Sequence, residues 1–357
     1  MRMLGLELEL DFGDRAPPLM GALVTGGFFS IDGQAGRVLV ALGGGSASAE
    51  TQLLWLKAHL ARQQDFAALG ADIVLLATMD SQAFPDLLAA AHPGCVILSP
   101  DCGLSSFGGT EAAPATVVID RNGRVAGVLR DGSVEARVAT ALEIVAGLAR
   151  KLPGHAAAPV LIVPRLLSPS LCTDLIAAFE SGPNFEGGMA SVDTTGAPIL
   201  KVQEAKKRRR DFLLEADHPL YAPVLHALGA RLAPEIKRAF QIEIAHADRI
   251  LIACYDDTGG YFHRHRDNSA PQVAFRQFAA SLNLNTGSYE GGELEFPEYG
   301  DELYIPPLGA AVVFSASLLH AARPVTKGKR YVLLTFLHDQ FAEQQRLNFE
   351  QSSLVNA

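Results

Sequence analysis

His265 and Asp267 stand two residues apart in Gly260-Tyr-Phe-His-Arg-His265-Arg-Asp267-Asn268, with His320 and Arg330 further along the chain. Two imidazoles and one carboxylate form a ligand set for a single iron(II) ion. They occupy one face of the metal and leave the opposite face open for chemistry with dioxygen. The two-residue spacing puts His265 and Asp267 on one side of an extended segment. His320 lies between two apolar, strand-like runs at 310–314 and 331–337, so pairing across a sheet would bring it to the same place. Arg330 is always charged, and its planar fork suits the carboxylate of an acidic co-substrate. His263 shares a face with His265. This leaves a second arrangement open, with His263 and His265 as the metal pair and Asp267 capping a turn.

The elements that must position these residues are short strands broken by Gly, Pro, Asn and Asp. They are expected over 250–255, 279–285, 293–296, 310–314 and 330–337, a pattern that reads as a jelly roll. Ahead of them come a strand over 160–163, a helix over 168–180 with Ser168 as N-cap, and a long helical region over 218–240. The Gly-, Thr- and Ser-rich segment 187–203 precedes the barrel and has the composition of a lid.

These residues carry a family resemblance. From about 159 to 339 the chain resembles the prolyl-hydroxylase-type iron(II)/2-oxoglutarate dioxygenases. The resemblance rests on Ala253-Cys-Tyr255 with the His265-Arg-Asp267 segment, on Glu290-Gly-Gly-Glu-Leu-Glu-Phe296, and on His320-Ala-Ala-Arg-Pro-Val-Thr-Lys-Gly-Lys-Arg330, in that order. It implies a double-stranded β-helix (jelly roll) with flanking helices. It implies iron(II) held by His265, Asp267 and His320, and 2-oxoglutarate held through its far carboxylate by Arg330. Tyr255 and Asn283 fall at co-substrate-contacting positions of the family, although Tyr255 also reads as a core aromatic and Asn283 as a bridge between strands. Ascorbate belongs to the same set as an accessory reductant. The implied reaction converts 2-oxoglutarate to succinate and carbon dioxide and hydroxylates an unactivated C–H bond. The implied substrate is a prolyl or other amino-acid residue of a peptide or protein, or a free amino acid. Related halogenases lack the carboxylate, so Asp267 points to hydroxylation.

The first half of the chain alternates strand and helix signals. Strands are expected over 37–42, 72–78, 95–98, 116–119 and 125–129, and helices over 50–64, 81–91 and 133–152. Leu53, Leu54, Leu56 and Leu60 give the first helix its spacing, and Arg121-Asn122-Gly123 marks a hairpin turn. This half resembles the thioredoxin/peroxiredoxin superfamily over about 8–150, through Phe12-Gly-Asp-Arg-Ala-Pro17 and Pro114-Ala-Thr-Val-Val-Ile-Asp120. The peroxidatic cysteine expected near 43–50 is missing, and Pro114 replaces an arginine. Thiolate is the nucleophile of that chemistry, so the fold is expected without the peroxidase. The boundaries that follow are a thioredoxin-like α/β domain over 1–151, a linker over 152–159 and a dioxygenase domain over 160–357.

A chain of 357 residues, 48% hydrophobic and 19% charged, supports two globular domains. The net charge of −9 argues against a nucleic-acid partner. Lys206-Lys-Arg-Arg-Arg210 is flanked by Glu204, Asp211 and Glu215 and reads as a solvated or substrate-facing segment. The four cysteines, Cys95, Cys102, Cys172 and Cys254, do not form a disulfide scaffold and fit a reducing compartment. No apolar run reaches the ~20 residues of a membrane span, so a cytoplasmic protein is expected. Two other readings stay open. One is a non-catalytic sensor whose thioredoxin-like half docks partners or joins two chains. The other is a thiol redox enzyme using Cys95 or Cys102.

Overall fold

The run Val-Leu-Val-Ala-Leu-Gly at 38–43 has no polar side chain to turn toward water, and such a run must be covered on both faces. The computed structural model describes residues 2–3, 6–7, 10–17, 20–22, 28–31, 34, 36–43, 49–76, 96–97, 115–149, 157–192, 198–201 and 207–355. The chain forms two compact units. One comprises Met1–Ala157 with Pro297–Gly300, the other Ala158–Phe296 with Asp301–Ala357.

In the first unit the strand Val38–Gly43 pairs in parallel with Ala71–Leu76 and antiparallel with Ala115–Ile119. Val96–Ile97 and Val125–Leu129 form the edges of this five-stranded sheet. Side chains alternate across a strand. Val38, Val40 and Leu42 therefore enter a core with Leu56, Phe66, Val138 and Val145 from the covering helices. Leu39 and Ala41 enter a second core with Leu10, Phe29 and Val117. The helix Ala49–Leu60 buries Trp55, Leu56 and His59, while Leu54, placed on its apolar face by sequence spacing, is 63% exposed. His59 lies between the Trp55 carbonyl oxygen at 2.9 Å and the Thr116 hydroxyl at 3.3 Å. Burial pushes it down to about 4, so it is a neutral core group at pH 7. At the expected turn, Asp120 Oδ1 accepts the N–H groups of Asn122 and Arg124, both at 2.9 Å, and Gly123 takes a positive φ of 72°. The helix expected over 81–91, most of the 152–159 linker, and Cys95, Cys102 and Pro114 lie outside the described residues.

The second unit is built on two antiparallel sheets. The larger runs Leu161–Val163, Ala311–Ser315, Phe278–Asn283, Val325–His338, His246–Asp256, Arg210–Leu213 and Phe185–Glu186. The smaller runs Lys207–Arg208, Tyr261–His265, His320–Ala322, Leu294–Glu295 and Leu303–Tyr304. One apolar core joins the larger sheet to the helices, with Phe179, Leu232, Ile252, Leu282, Val313 and Leu333 at its centre. Ser168 caps the helix Pro169–Ser181 by accepting the Leu171 N–H at 3.2 Å, and Pro169 needs no N–H partner at that position. The region expected to be one helix over 218–240 is interrupted. Tyr221–Ala227 and Ala233–Phe240 are joined by a wider π turn at Leu228–Leu232. Pro234 follows this turn. It has no N–H to return to the carbonyl four residues earlier, and a widened turn relieves the mismatch. The arms of segment 187–203 pair as an antiparallel hairpin, Met189–Val192 with Pro198–Lys201. Among the described residues no helix is long and apolar enough to cross a membrane.

Candidate metal centre

Tyr261–His265 and His320–Ala322 are neighbouring strands, and their register sets His265 opposite His320. Asp267 follows just beyond the first strand, its N–H held by the Ala316 carbonyl at 2.9 Å. One carboxylate oxygen of Asp267 lies 3.3 Å from His265 Nε2 and the other 3.4 Å from His320 Nε2. The ligand atoms of the three residues all fall within 4.8 Å of one another. A bulge between Phe262 and His265 turns His263 away from this group. His263 is exposed and packs on Tyr261, with ring centroids 4.4 Å apart. His265 stacks instead on Phe262 at 3.4 Å.

The tautomers follow from the outer contacts. His265 Nδ1 lies 2.8 Å from the His263 carbonyl oxygen, and His320 Nδ1 lies 3.1 Å from that of Leu318. A carbonyl only accepts, so each Nδ1 carries a hydrogen, and Nε2 is the ring atom that each histidine turns toward Asp267. Burial alone would raise the Asp267 carboxyl. The fields of His320, His265 and Arg276 outweigh it and hold the group well below the usual carboxylate range. Burial, with the His265 ring adding repulsion, lowers His320 to about 4 against the attraction of Asp267, so it is neutral at pH 7. Two imidazole Nε2 atoms and a carboxylate thus converge, a donor set that suits a cation.

Arg330 sits in the same cavity, 2% exposed and opposite Tyr255 in the register of the two central strands. Its Nη2 donates to Asn283 Oδ1 at 3.2 Å, while its buried Nε has no hydrogen-bond partner. A buried guanidinium donor left unused costs free energy unless a ligand takes it. Asn283 is itself fixed, since its amide nitrogen donates to the Tyr289 hydroxyl at 2.8 Å and to Thr286 Oγ1 at 3.1 Å. Asn283 thus steers Arg330. Tyr255 is buried, and its hydroxyl accepts from Arg209 Nη1 at 2.8 Å. The two glycines ahead of Leu294 also have a physical reason. A Cβ on Gly291 would stand 2.4 Å from the Pro324 carbonyl oxygen, and one on Gly292 would stand 2.8 Å from Arg330 Cδ. Their φ angles of 78° and 72° favour glycine as well.

The structure therefore brings together His265, Asp267, His320, Arg330 and Tyr255 around one cavity, with Asn283 behind Arg330, and leaves His263 outside. It adds Arg209, which sequence reading placed only within a solvated or substrate-facing basic run. The available signal was Arg209-x-Asp211 on an extended segment, where both side chains share a face and form an ion pair at 2.7 Å. The residues present suit both iron(II) and 2-oxoglutarate, by the converging ligand atoms and by the unused Arg330 donor.

Part of the second unit is similar to known oxygenases. Residues 250–338 match the family model of the 2OG-Fe(II) oxygenase superfamily. This segment contains His265, Asp267 and His320, with Tyr255, Asn283 and Arg330. The chain is similar to a PKHD-type hydroxylase of Synechococcus sp., 31% identical over 102 residues, which are 27% of this chain and 45% of that protein. It thus spans about half the length of that curated relative. A PKHD-type hydroxylase of Pseudomonas fluorescens is 28% identical over 180 residues, covering 47% of this chain and 78% of the relative. Among solved structures, a Pseudomonas putida prolyl-4-hydroxylase aligns with a TM-score of 0.39 and 18% identity, over 52% of this chain and 95% of its own.

Proposed function

We propose that the protein is a hydroxylase that uses iron(II), dioxygen and 2-oxoglutarate to oxidise an unactivated C–H bond, with succinate and carbon dioxide as co-products. The proposed target is a prolyl or other amino-acid residue of a peptide or protein, or a free amino acid. The observation that carries this reading is the shared cavity. The His265–Asp267–His320 cluster and a buried arginine with an unused donor face the same space. Bound iron(II) and 2-oxoglutarate supply oxidation of a C–H bond by dioxygen. The chain's own residues do the rest. His265, Asp267 and His320 would hold the metal, and Arg330 would hold the far carboxylate of 2-oxoglutarate. Asn283 aims the Arg330 fork and Arg209 fixes the Tyr255 hydroxyl. Leu251, Leu294, Phe314 and Leu334 make the cavity wall apolar and limit water around the reacting groups. Ascorbate as an accessory reductant belongs to the same proposal. A library of peptides and free amino acids, incubated with iron(II) and 2-oxoglutarate, is expected to yield a product heavier by one oxygen, with succinate formed in step. Absence of any iron-dependent succinate formation would sink the reading.

For the second unit we infer a double-stranded β-helix from its two antiparallel sheets, and for the first a thioredoxin-like fold. The latter rests on the order 71–76, 38–43, 115–119, 125–129, parallel then antiparallel, closed by the helix Val134–Ala149. Its proposed role is to join two chains or to dock a substrate. A chain truncated within 152–159 is expected to keep iron and 2-oxoglutarate binding, because every residue of the cavity follows Ala158. It is expected to lose self-association or turnover of a large substrate. Equal mass by light scattering and equal turnover in the truncated and intact chains would refute this role.

A further inference from the structure

Lys207, Arg208, Arg209 and Arg210 are four consecutive basic residues, and their charge is only partly met. Arg208 donates to the Thr258 carbonyl oxygen at 2.6 Å and to its hydroxyl at 3.2 Å. Arg210 donates to Asn184 Oδ1 at 3.2 Å and stands over the Phe179 ring. Both arginines thus spend donors on neutral oxygens. The Lys207 ammonium donates to the Gly188 carbonyl at 2.9 Å and has Asp211 only at 3.5 Å. Asp211 is already ion-paired with Arg209. Lys207 is 5% exposed, and an ammonium so buried is costly unless an anion compensates it. Burial foremost, with Arg209 and Arg249 repelling and Asp211 attracting, lowers it to about 7.

These four basic residues line a second cavity, in which the carboxylates are Glu186 and Asp256. Asp256 is engaged by Thr258, whose N–H and hydroxyl donate to it at 3.2 and 2.6 Å. Arg209 lines this cavity and also the cavity of the His265–Asp267–His320 cluster. Arg209 is thus a wall common to both, which sets the basic cavity beside the cluster.

We propose that this basic cavity binds a carboxylate carried by the substrate, away from the carbon that is oxidised. The substrate of the reaction proposed above is then acidic. Its carboxylate comes either from a free α-carboxyl group or from an aspartyl or glutamyl side chain near the target residue.

The test uses the full chain without iron or 2-oxoglutarate, so it does not depend on turnover. Calorimetric titration at low salt compares N-acetyl-aspartic acid amide, N-acetyl-alanine and the neutral N-acetyl-asparagine amide. At least one acidic probe is expected to bind about tenfold tighter than the neutral one, as charge-assisted hydrogen bonds warrant. Arg208→Gln should remove about that factor, and Arg208→Gln with Arg210→Gln at least as much. Arg330→Ala should leave it in place. Preference for the aspartyl probe assigns a side-chain carboxylate, and preference for N-acetyl-alanine a free α-carboxylate. An unchanged 2-oxoglutarate titration and melting temperature in Arg208→Gln show that the fold and the co-substrate site survive. The proposal is overturned if acidic and neutral probes bind alike or not at all. It is also overturned if binding survives in both Gln variants and disappears in Arg330→Ala, which would place the carboxylate beside Arg330. A failure of the hydroxylase reading appears elsewhere, as absent iron-dependent succinate formation with probe binding intact.

Discussion

Arg330→Ala should raise the half-saturating 2-oxoglutarate concentration at least about thirtyfold, and by several thousandfold at the upper limit. Truncating one partner of a buried, hydrogen-bonded charge pair costs about 2–5 kcal/mol, and each ~1.4 kcal/mol is a factor of ten. The position permits no substitute. Arg330 is 2% exposed, so water does not replace the lost donor, and Asn283 Oδ1 would lose its partner at the same time. Arg330→Lys should recover only part of the affinity, because an ammonium is a point charge and does not reproduce two parallel N–H groups. Titration of 2-oxoglutarate under conditions that measure binding alone decides the matter. An unchanged curve in the alanine variant would remove Arg330 from the role.

Loss of iron binding is the second large effect. Asp267 is the only carboxylate of the cluster, and Asp267→Ala leaves two imidazoles with no anionic ligand to balance the charge of a bound cation. Outer partners of metal ligands already change affinity by about 10–100-fold, so a ligand itself should exceed about a hundredfold. His265→Ala should behave the same way. His263→Ala should leave iron affinity unchanged, because that ring is exposed and packs on Tyr261. Equilibrium dialysis of iron(II) against the three variants separates the two arrangements that the His263-x-His265-x-Asp267 spacing allows. Retained affinity in His265→Ala with loss in His263→Ala would reverse the assignment.

That ambiguity shows where sequence reading reaches its limit. The period of a strand predicts that His263, His265 and Asp267 share a face, and the bulge after Phe262 breaks that period. A bulge inserts one residue against its partner strand, and nothing local to the sequence marks it here. Arg330 was legible for the opposite reason. It opens a run of Tyr331, Val332, Leu333 and Leu334 that must be buried, so its own charge had to be buried with a purpose. Arg209 was not legible because its meaning is non-local. The pairing of Arg210–Leu213 with His246–Asp256 brings it against Tyr255, and a basic run gives no indication of that register. Asn283 reads in the sequence either as a co-substrate contact or as a bridge between strands, and its side-chain oxygen accepts from Arg330 on the neighbouring strand. The helix Gln340–Val355 went unassigned since its residues form no continuous apolar stripe.

The strand Val325–His338 pairs with His246–Asp256, with Phe278–Asn283 and, at its start, with Tyr289–Gly291. Arg330 therefore lies on the same continuous backbone as Leu333 and Leu337 of the core. In amide hydrogen exchange, central strands of this kind open only when the whole domain unfolds, while edge pairings fray sooner. A ligand that binds only the folded state slows such opening in proportion to its excess over its dissociation constant. Occupancy at Arg330 would thus be recorded far from the guanidinium, as slower deuterium uptake along 331–337. The edge pairing at 325–328 would report little of it.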